Sequence, residues 1–188
     1  DGLSQSNIRV ILQDSLGFLW LGTAKGLNRF DGQTFKTYQP SKDSTQSGLV
    51  HQEINDIITD REGILWIATL NGLSRFDPKL DKFTNFKTVG DCIDCLIRGH
   101  ISTLLEDGEF IWIGTAGGLS RIHKTEYTIT SWPYVEGDTD GPKKTSIREM
   151  VKLDTNKLAI ASNEGISIFN SLTNTFTHIT DAEGLLEN

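Results

Sequence analysis

A twelve-residue string occurs three times at an interval of 46 residues, and this repetition constrains the fold more than any other feature. Trp20-Leu21-Gly22-Thr23-Ala24-Lys25-Gly26-Leu27-Asn28-Arg29-Phe30-Asp31 returns as Trp66-Ile67-Ala68-Thr69-Leu70-Asn71-Gly72-Leu73-Ser74-Arg75-Phe76-Asp77. It returns again as Trp112-Ile113-Gly114-Thr115-Ala116-Gly117-Gly118-Leu119-Ser120-Arg121-Ile122-His123. A weaker fourth copy starts at Ala159, 47 residues after Trp112, and keeps Gly165 in the place of Gly26, Gly72 and Gly118. Upstream, Ile8, Ile54, Ile101 and Ile147 keep the same step, each followed by apolar residues three and four places later. A repeat of this length is one supersecondary unit that buries its apolar face only by stacking on a neighbour.

Each unit reads as four short strands. The first is the Ile-x-x-apolar-apolar segment, such as Ile8 to Gln13, ended by Asp14 and Gly17. Its i, i+3, i+4 spacing imitates a helix, but turn residues arrive within about six residues, which makes it a buried strand. Phe18 to Thr23, apolar at most positions, is a second strand buried on both faces. A turn containing Gly26 leads to a third strand, Leu27 to Phe30. Asp31-Gly32 is a tight hairpin signal, followed by an outer strand from Thr34 to Tyr38. The outer strand recurs at Lys82 to Phe86, Glu126 to Thr130 and Thr175 to Ile179. Four antiparallel strands repeating at this period make a propeller blade. The expected fold is therefore all-β, a β-propeller segment of four blades at about 1–47, 48–94, 95–140 and 141–183. Residues 184–188 repeat the Gly-Leu lead-in that precedes Ile8 and Ile54, so they read as the start of a further blade, and the chain as part of a larger propeller.

Composition removes several other classes. With 18 Lys+Arg against 25 Asp+Glu the formal charge is −7, and no basic stripe suits nucleic acid. No apolar run approaches the 18 residues that would suggest a membrane-spanning helix. Two cysteines cannot build a disulfide framework. Cys92-x-x-Cys95 lacks the second ligand pair of a zinc site and the βαβ context of a redox motif, leaving a loop staple or no role. No cofactor or metal is expected.

Asp14-x-x-Gly17-x-x-Trp20-x-Gly22-Thr23-x-x-Gly26-Leu27 and Asp60-x-x-Gly63-x-x-Trp66-x-Ala68-Thr69-x-x-Gly72-Leu73 resemble the two-component regulator propeller repeat. The third copy departs by one deletion, with Asp107-Gly108 ahead of Trp112. The fourth has Ala159 for the tryptophan and Asn156 or a neighbour in place of the turn glycine. The resemblance implies the periplasmic sensor region of a hybrid histidine kinase. That region responds to oligosaccharides and controls carbohydrate-use genes, and it meets the membrane only through segments outside this chain. It also implies a non-catalytic segment. The alternatives are an interaction or dimerisation scaffold and, with less support, a glycan-cleaving propeller.

Trp20, Trp66 and Trp112 sit inside apolar strands and read as blade-to-blade packing. Asp14, Asp60 and Asp107 hold equivalent turn positions, which favours side-chain-to-backbone turn bonds over a pair of catalytic carboxylates. Arg29, Arg75 and Arg121 recur at one strand position and read as surface ion pairs or stem packing. Ligand groups are expected in loops that do not obey the repeat, at the end of the blades where strands two and three turn. The candidates there are Lys25, His51, Gln52, Asn71, Arg98, His100 and Trp132, which combine polar donors with one aromatic face. The expected partners are an oligosaccharide and either neighbouring blades or a second copy of the chain.

Overall fold

The computed structural model describes residues 2–41, 47–90, 96–143 and 146–179, and every regular element among them is a β-strand. The first blade holds β1 (Ile8–Gln13), β2 (Leu19–Thr23), β3 (Gly26–Phe30) and β4 (Phe35–Tyr38). The second holds β5 (Ile54–Thr59), β6 (Leu65–Thr69), β7 (Gly72–Asp77) and β8 (Lys82–Gly90). After the two-residue β9 (Leu96–Ile97), the third holds β10 (Ile101–Asp107), β11 (Phe110–Thr115), β12 (Gly118–His123) and β13 (Ile129–Pro133). The fourth holds β14 (Ile147–Lys152), β15 (Lys157–Ser162), β16 (Gly165–Asn170) and β17 (Thr175–Ile179). Within every blade the four strands pair antiparallel in chain order, the meander of a β-propeller, and β9 adds a fifth strand to the second sheet beyond β8. Two compact units, residues 1–88 and 89–188, carry blades one and two and blades three and four respectively. Cys92, Cys95 and residues 184–188 lie outside the described residues.

The helix-like spacing of the first strand has a specific cause. All four inner strands carry a β-bulge at one place: between Ile8 and Val10, Ile54 and Asp56, Ile101 and Thr103, and Ile147 and Glu149. In a regular strand, residues three apart face opposite ways; one extra residue returns them to the same face. The bulge thus turns both Ile54 and Ile57 into the preceding blade, where both are buried. Ile147 and Met150 do the same in the second unit. The expectation of a buried inner strand fails in blade one, where Ile8 and Ile11 are exposed, because no described sheet packs on that side of β1.

The two units repeat one aromatic arrangement between their blades. In the first, Phe76 meets Trp20 edge-on at 5.5 Å, Tyr38 at 5.0 Å and Phe83 at 4.5 Å. In the second, Phe169 meets Trp112 at 5.7 Å, Trp132 at 4.8 Å and Phe176 at 4.6 Å. Tyr38 lies opposite Leu27 and Trp132 opposite Leu119, so the two rings occupy equivalent register positions. Each ring also donates a hydrogen bond to the outer turn of the next blade. The Tyr38 hydroxyl reaches Asp81 Oδ1 at 3.1 Å, and Trp132 Nε1 reaches Asn174 Oδ1 at 3.2 Å. Asp81 and Asn174 have φ near +51° and +59°, a conformation their short polar side chains tolerate better than most. The Lys36 ammonium, 2.8 Å from Asp81 Oδ2, holds that carboxyl below its ordinary range.

One sequence expectation changes here and another is narrowed. The third outer strand lies at Ile129–Pro133 rather than Glu126 to Thr130, because a longer turn with Tyr127 at φ +59° precedes it. Of the two readings of the recurring arginine, surface ion pair or packing, Arg29 and Arg121 follow packing, with the guanidinium itself stacked on aromatic rings. Arg29 lies 4.5 Å over Phe18, and Arg121 lies 4.6 Å over Phe110 and 5.5 Å over Trp112. Burial in this stack pulls the Arg121 guanidinium below its ordinary pKa.

Candidate ligand-binding face

The β2–β3 turn is closed by the threonine of the repeat. Thr23 Oγ1 donates to the Gly26 carbonyl at 3.0 Å and accepts the Lys25 amide at 3.0 Å. Thr69, Thr115 and Ser162 bond in the same way to Gly72, Gly118 and Gly165. Each of those four glycines has positive φ, between +104° and +147°. A Cβ on Gly26 would stand 2.5 Å from the Tyr38 carbonyl oxygen, so conformation and space both demand glycine. The clasp fixes the turn backbone and leaves the Lys25 and Asn71 side chains exposed at its tip.

In the first unit, the connector entering blade two is brought to the same end. The Leu70 amide donates to the Glu53 carbonyl at 3.1 Å, tying the β6–β7 turn to residues 51–53. Ser74, buried in β7, accepts the Val50 amide at 2.9 Å and donates to Asn85 Oδ1 at 2.7 Å. Asn85 Nδ2 in turn holds the Gly48 carbonyl at 2.9 Å. His51 Nδ1 accepts the Glu53 amide at 3.1 Å, which leaves the neutral ring's proton on Nε2. Lys25, His51, Gln52 and Asn71 therefore belong to one end of the unit, with Gln52 exposed and His51 half-buried.

Buried polar residues at the position of Ser74 were not singled out by sequence reasoning. Asn28 bonds the Ser4 amide and hydroxyl, Ser120 bonds Ser131, and Ser167 bonds His178, whose Nε2 reaches the Gly141 carbonyl. In blades one, two and four the site anchors the segment entering its own blade. The signal was present as a polar residue, Asn28, Ser74, Ser120 or Ser167, at one register position of all four third strands.

In the second unit, Arg98 is exposed and His100 half-buried, and Gly99 lies beside Ala116 in the β11–β12 turn. Trp132 does not lie in a loop. It stands in β13, half-buried, with its ring committed to Trp112, Phe169 and the Arg121 guanidinium. A cavity of the first unit opens at the other end of the blades. It encloses about 550 Å³ and is lined by Leu16, Arg61, Glu62, Arg75, Asp77 and Lys79, among others. None of the seven candidate ligand residues lines it. No group of three His, Cys, Asp or Glu able to hold a metal occurs among the described residues.

A family model described as "Two component regulator propeller" matches residues 2–25 and 48–71. Those two stretches are two-component regulator propeller repeats. It is 53% identical over 47 residues to "Histidine kinase P4" of Formosa agariphila, a match spanning 25% of the chain and 3% of that protein. Over 95% of its length it superposes, at 25% identity and a TM-score of 0.85, on the extracellular domain of the hybrid two-component system BT3049 from B. thetaiotaomicron. The extracellular domain of BT4673 from the same organism gives a TM-score of 0.72 at 25% identity over 93% of the chain. The chain spans 25% and 22% of those two domains. It thus resembles extracellular regions of signalling proteins, and no kinase domain lies within its 188 residues.

In the propeller repeats the motif residues form one hydrogen-bonded unit. Asp14 Oδ1 accepts the amides of Leu16 and Phe18, both at 3.0 Å, while Oδ2 accepts Trp20 Nε1 at 2.8 Å. Asp60 does the same for Glu62, Ile64 and Trp66. Asp107 keeps the tryptophan bond at 3.4 Å despite the one-residue deletion. The aspartate shapes the turn through its backbone bonds and also satisfies the buried indole, a bond that the sequence reading did not include. In blade four, the tryptophan and its stacking arginine disappear together, as Ala159 and Ile168.

Proposed function

We propose that this chain is a non-catalytic part of the extracytoplasmic sensor region of a hybrid two-component histidine kinase. In this reading the region lies in the periplasm, binds a glycan-derived oligosaccharide, and signals across the membrane to transcription of carbohydrate-utilisation genes. The observation that carries it is the similarity to the BT3049 extracellular domain across 95% of the chain. The 47-residue match to a histidine kinase supports the same assignment. The oligosaccharide rests on the family resemblance and on exposed polar side chains at loop positions free of the repeat: Lys25, Gln52 and Asn71 in one unit, Arg98 in the other. Hydroxyl-rich ligands are bound through such fixed donors and acceptors. Ligand binding would act by favouring one of two arrangements of the sensor, since a ligand moves an equilibrium only by its difference in affinity for the two states.

A thermal-shift panel of plant, algal and host oligosaccharides tests this. At least one member is expected to raise the melting temperature of the full sensor domain by several degrees at concentrations well above its Kd. Gln52→Ala combined with Arg98→Ala is expected to weaken that response. A panel in which no oligosaccharide moves the transition contradicts the reading.

A further inference from the structure

The recurring arginine has a carboxylate near it in one unit and none in the other. In the first unit, Lys36 lies directly opposite Arg29 on the neighbouring strand and pairs with Asp81 at 2.8 Å. Tyr38 donates to the same carboxyl at 3.1 Å, and Lys36 first, then Arg29, hold that group below its ordinary range. The equivalent positions in the second unit are Thr130, opposite Arg121, followed by Trp132 and Asn174. The lysine and the acid have both given way to neutral residues. Arg121 has no hydrogen bond or ion pair among the described residues, and burial is what depresses its pKa.

Aromatic rings take the place of the charged neighbours. The Arg121 guanidinium lies 4.6 Å over Phe110, 5.5 Å over Trp112 and 5.6 Å over Trp132. Three rings fix its position without neutralising it, and a stacked guanidinium keeps its in-plane N–H donors for an oxyanion. Its Nε is buried without a partner, so that edge is closed to a ligand. The Nη pair is not closed in this way, and it presents an end-on fork. A half-buried cation with no counter-charge costs stability, and it attracts an incoming anion more strongly than a fully hydrated one would. Asn174, exposed beside Trp132, accepts the indole N–H through Oδ1 at 3.2 Å, which leaves its Nδ2 as a second donor.

We propose that Arg121 anchors the acidic group of a sugar ligand, a uronate carboxylate or a sulfate ester, bound end-on by the Nη pair, with Asn174 Nδ2 donating to a neighbouring hydroxyl. This rests on the oligosaccharide reading above and narrows it to acidic glycans. The subsite belongs to blades three and four, both present in the chain, and it is built on strands rather than on the loops that carry Arg98 and His100.

Calorimetric titration of the full sensor domain with matched oligosaccharides tests it. Uronate oligomers are compared with the same oligomers after reduction of their carboxyls to alcohols, and sulfated oligomers with their desulfated forms. An acidic member should bind about ten- to a hundredfold more tightly than its neutral counterpart, the range for charge-assisted hydrogen bonds. The pair that shows the gap identifies the acidic group. Arg121→Gln should abolish the gap and leave the neutral counterpart's binding unchanged. Because Arg121 also packs, Asn174→Asp is the second variant. Aspartate tolerates the positive φ of this turn and restores the carboxylate that the first unit holds at Asp81. It should weaken binding of the acidic ligand about tenfold by repulsion and by pairing with the guanidinium, with circular dichroism unchanged. Neutral oligosaccharides bound as tightly as acidic ones overturn the proposal and leave the oligosaccharide reading standing. An acid preference that survives both variants also overturns it, and a domain that binds no oligosaccharide overturns both.

Discussion

Trp66→Ala is expected to destabilise the chain by about 3–5 kcal/mol, the range for deleting a large buried aromatic side chain. Trp66 is fully buried in β6, its Nε1 donates to Asp60 Oδ2 at 2.9 Å, and its ring stacks on Phe86 at 6.4 Å. Truncation would open a void beside Phe86 and leave the buried Asp60 without its indole partner. The measurement is urea unfolding of parent and variant, with the midpoint expected to fall and the slope to stay constant. For a domain of this size the loss corresponds to a fall in melting temperature of roughly 6–20 °C. An unchanged midpoint would mean that the recurring tryptophan is not a packing residue. Blade four shows how such a loss is tolerated: where the ring is Ala159, the arginine that would stack on it is Ile168, so no guanidinium is left stranded.

Gly72→Ala is expected to cost more than its one added carbon implies. Gly72 has φ +147°, and a Cβ there would overlap the Phe86 carbonyl oxygen. That carbonyl cannot easily withdraw, because Gly72 is paired on one side with Thr69 and on the other with Lys87. Strain alone contributes about 1–3 kcal/mol, and displacement of the outer strand adds to it. Gly63→Ala is the internal control, because Gly63 has φ +82° but nothing within 4 Å of the new carbon. The same unfolding measurement should place Gly72→Ala clearly below Gly63→Ala. Equal losses would show that only the backbone conformation matters and that the close approach to β8 does not.

The blade pattern was legible because its causes are local and repeated. The Trp, Thr and Gly of each copy serve one turn and one strand, so their spacing alone gave the four-stranded unit. The inner strand was harder to read: its i, i+3 spacing suggested a helix, and only the bulge at Ile54 or Ile147 explains how both apolar residues face one way. Trp132 was misplaced for a different reason. It follows the third blade's longer outer turn, so counting by the repeat put the strand three residues early and left the tryptophan in a loop. Its equivalence to Tyr38 appears only once both are seen opposite a leucine of the third strand. The arginine stack escaped because its partner rings lie on neighbouring strands, with Trp20 directly opposite Arg29 and Trp112 opposite Arg121. Loop groups such as Gln52 and Arg98 are exposed and lie outside the repeat, so no periodicity marks them.

The claim that this chain is part of a transmembrane sensor is tested most directly by sequencing the reading frame on both sides of it. The account predicts further repeats of about 46 residues, an apolar stretch of about 20 residues long enough to span a bilayer, and a histidine kinase beyond it. A frame that closes shortly after Asn188 and encodes no membrane-spanning stretch on either side would contradict the sensor reading.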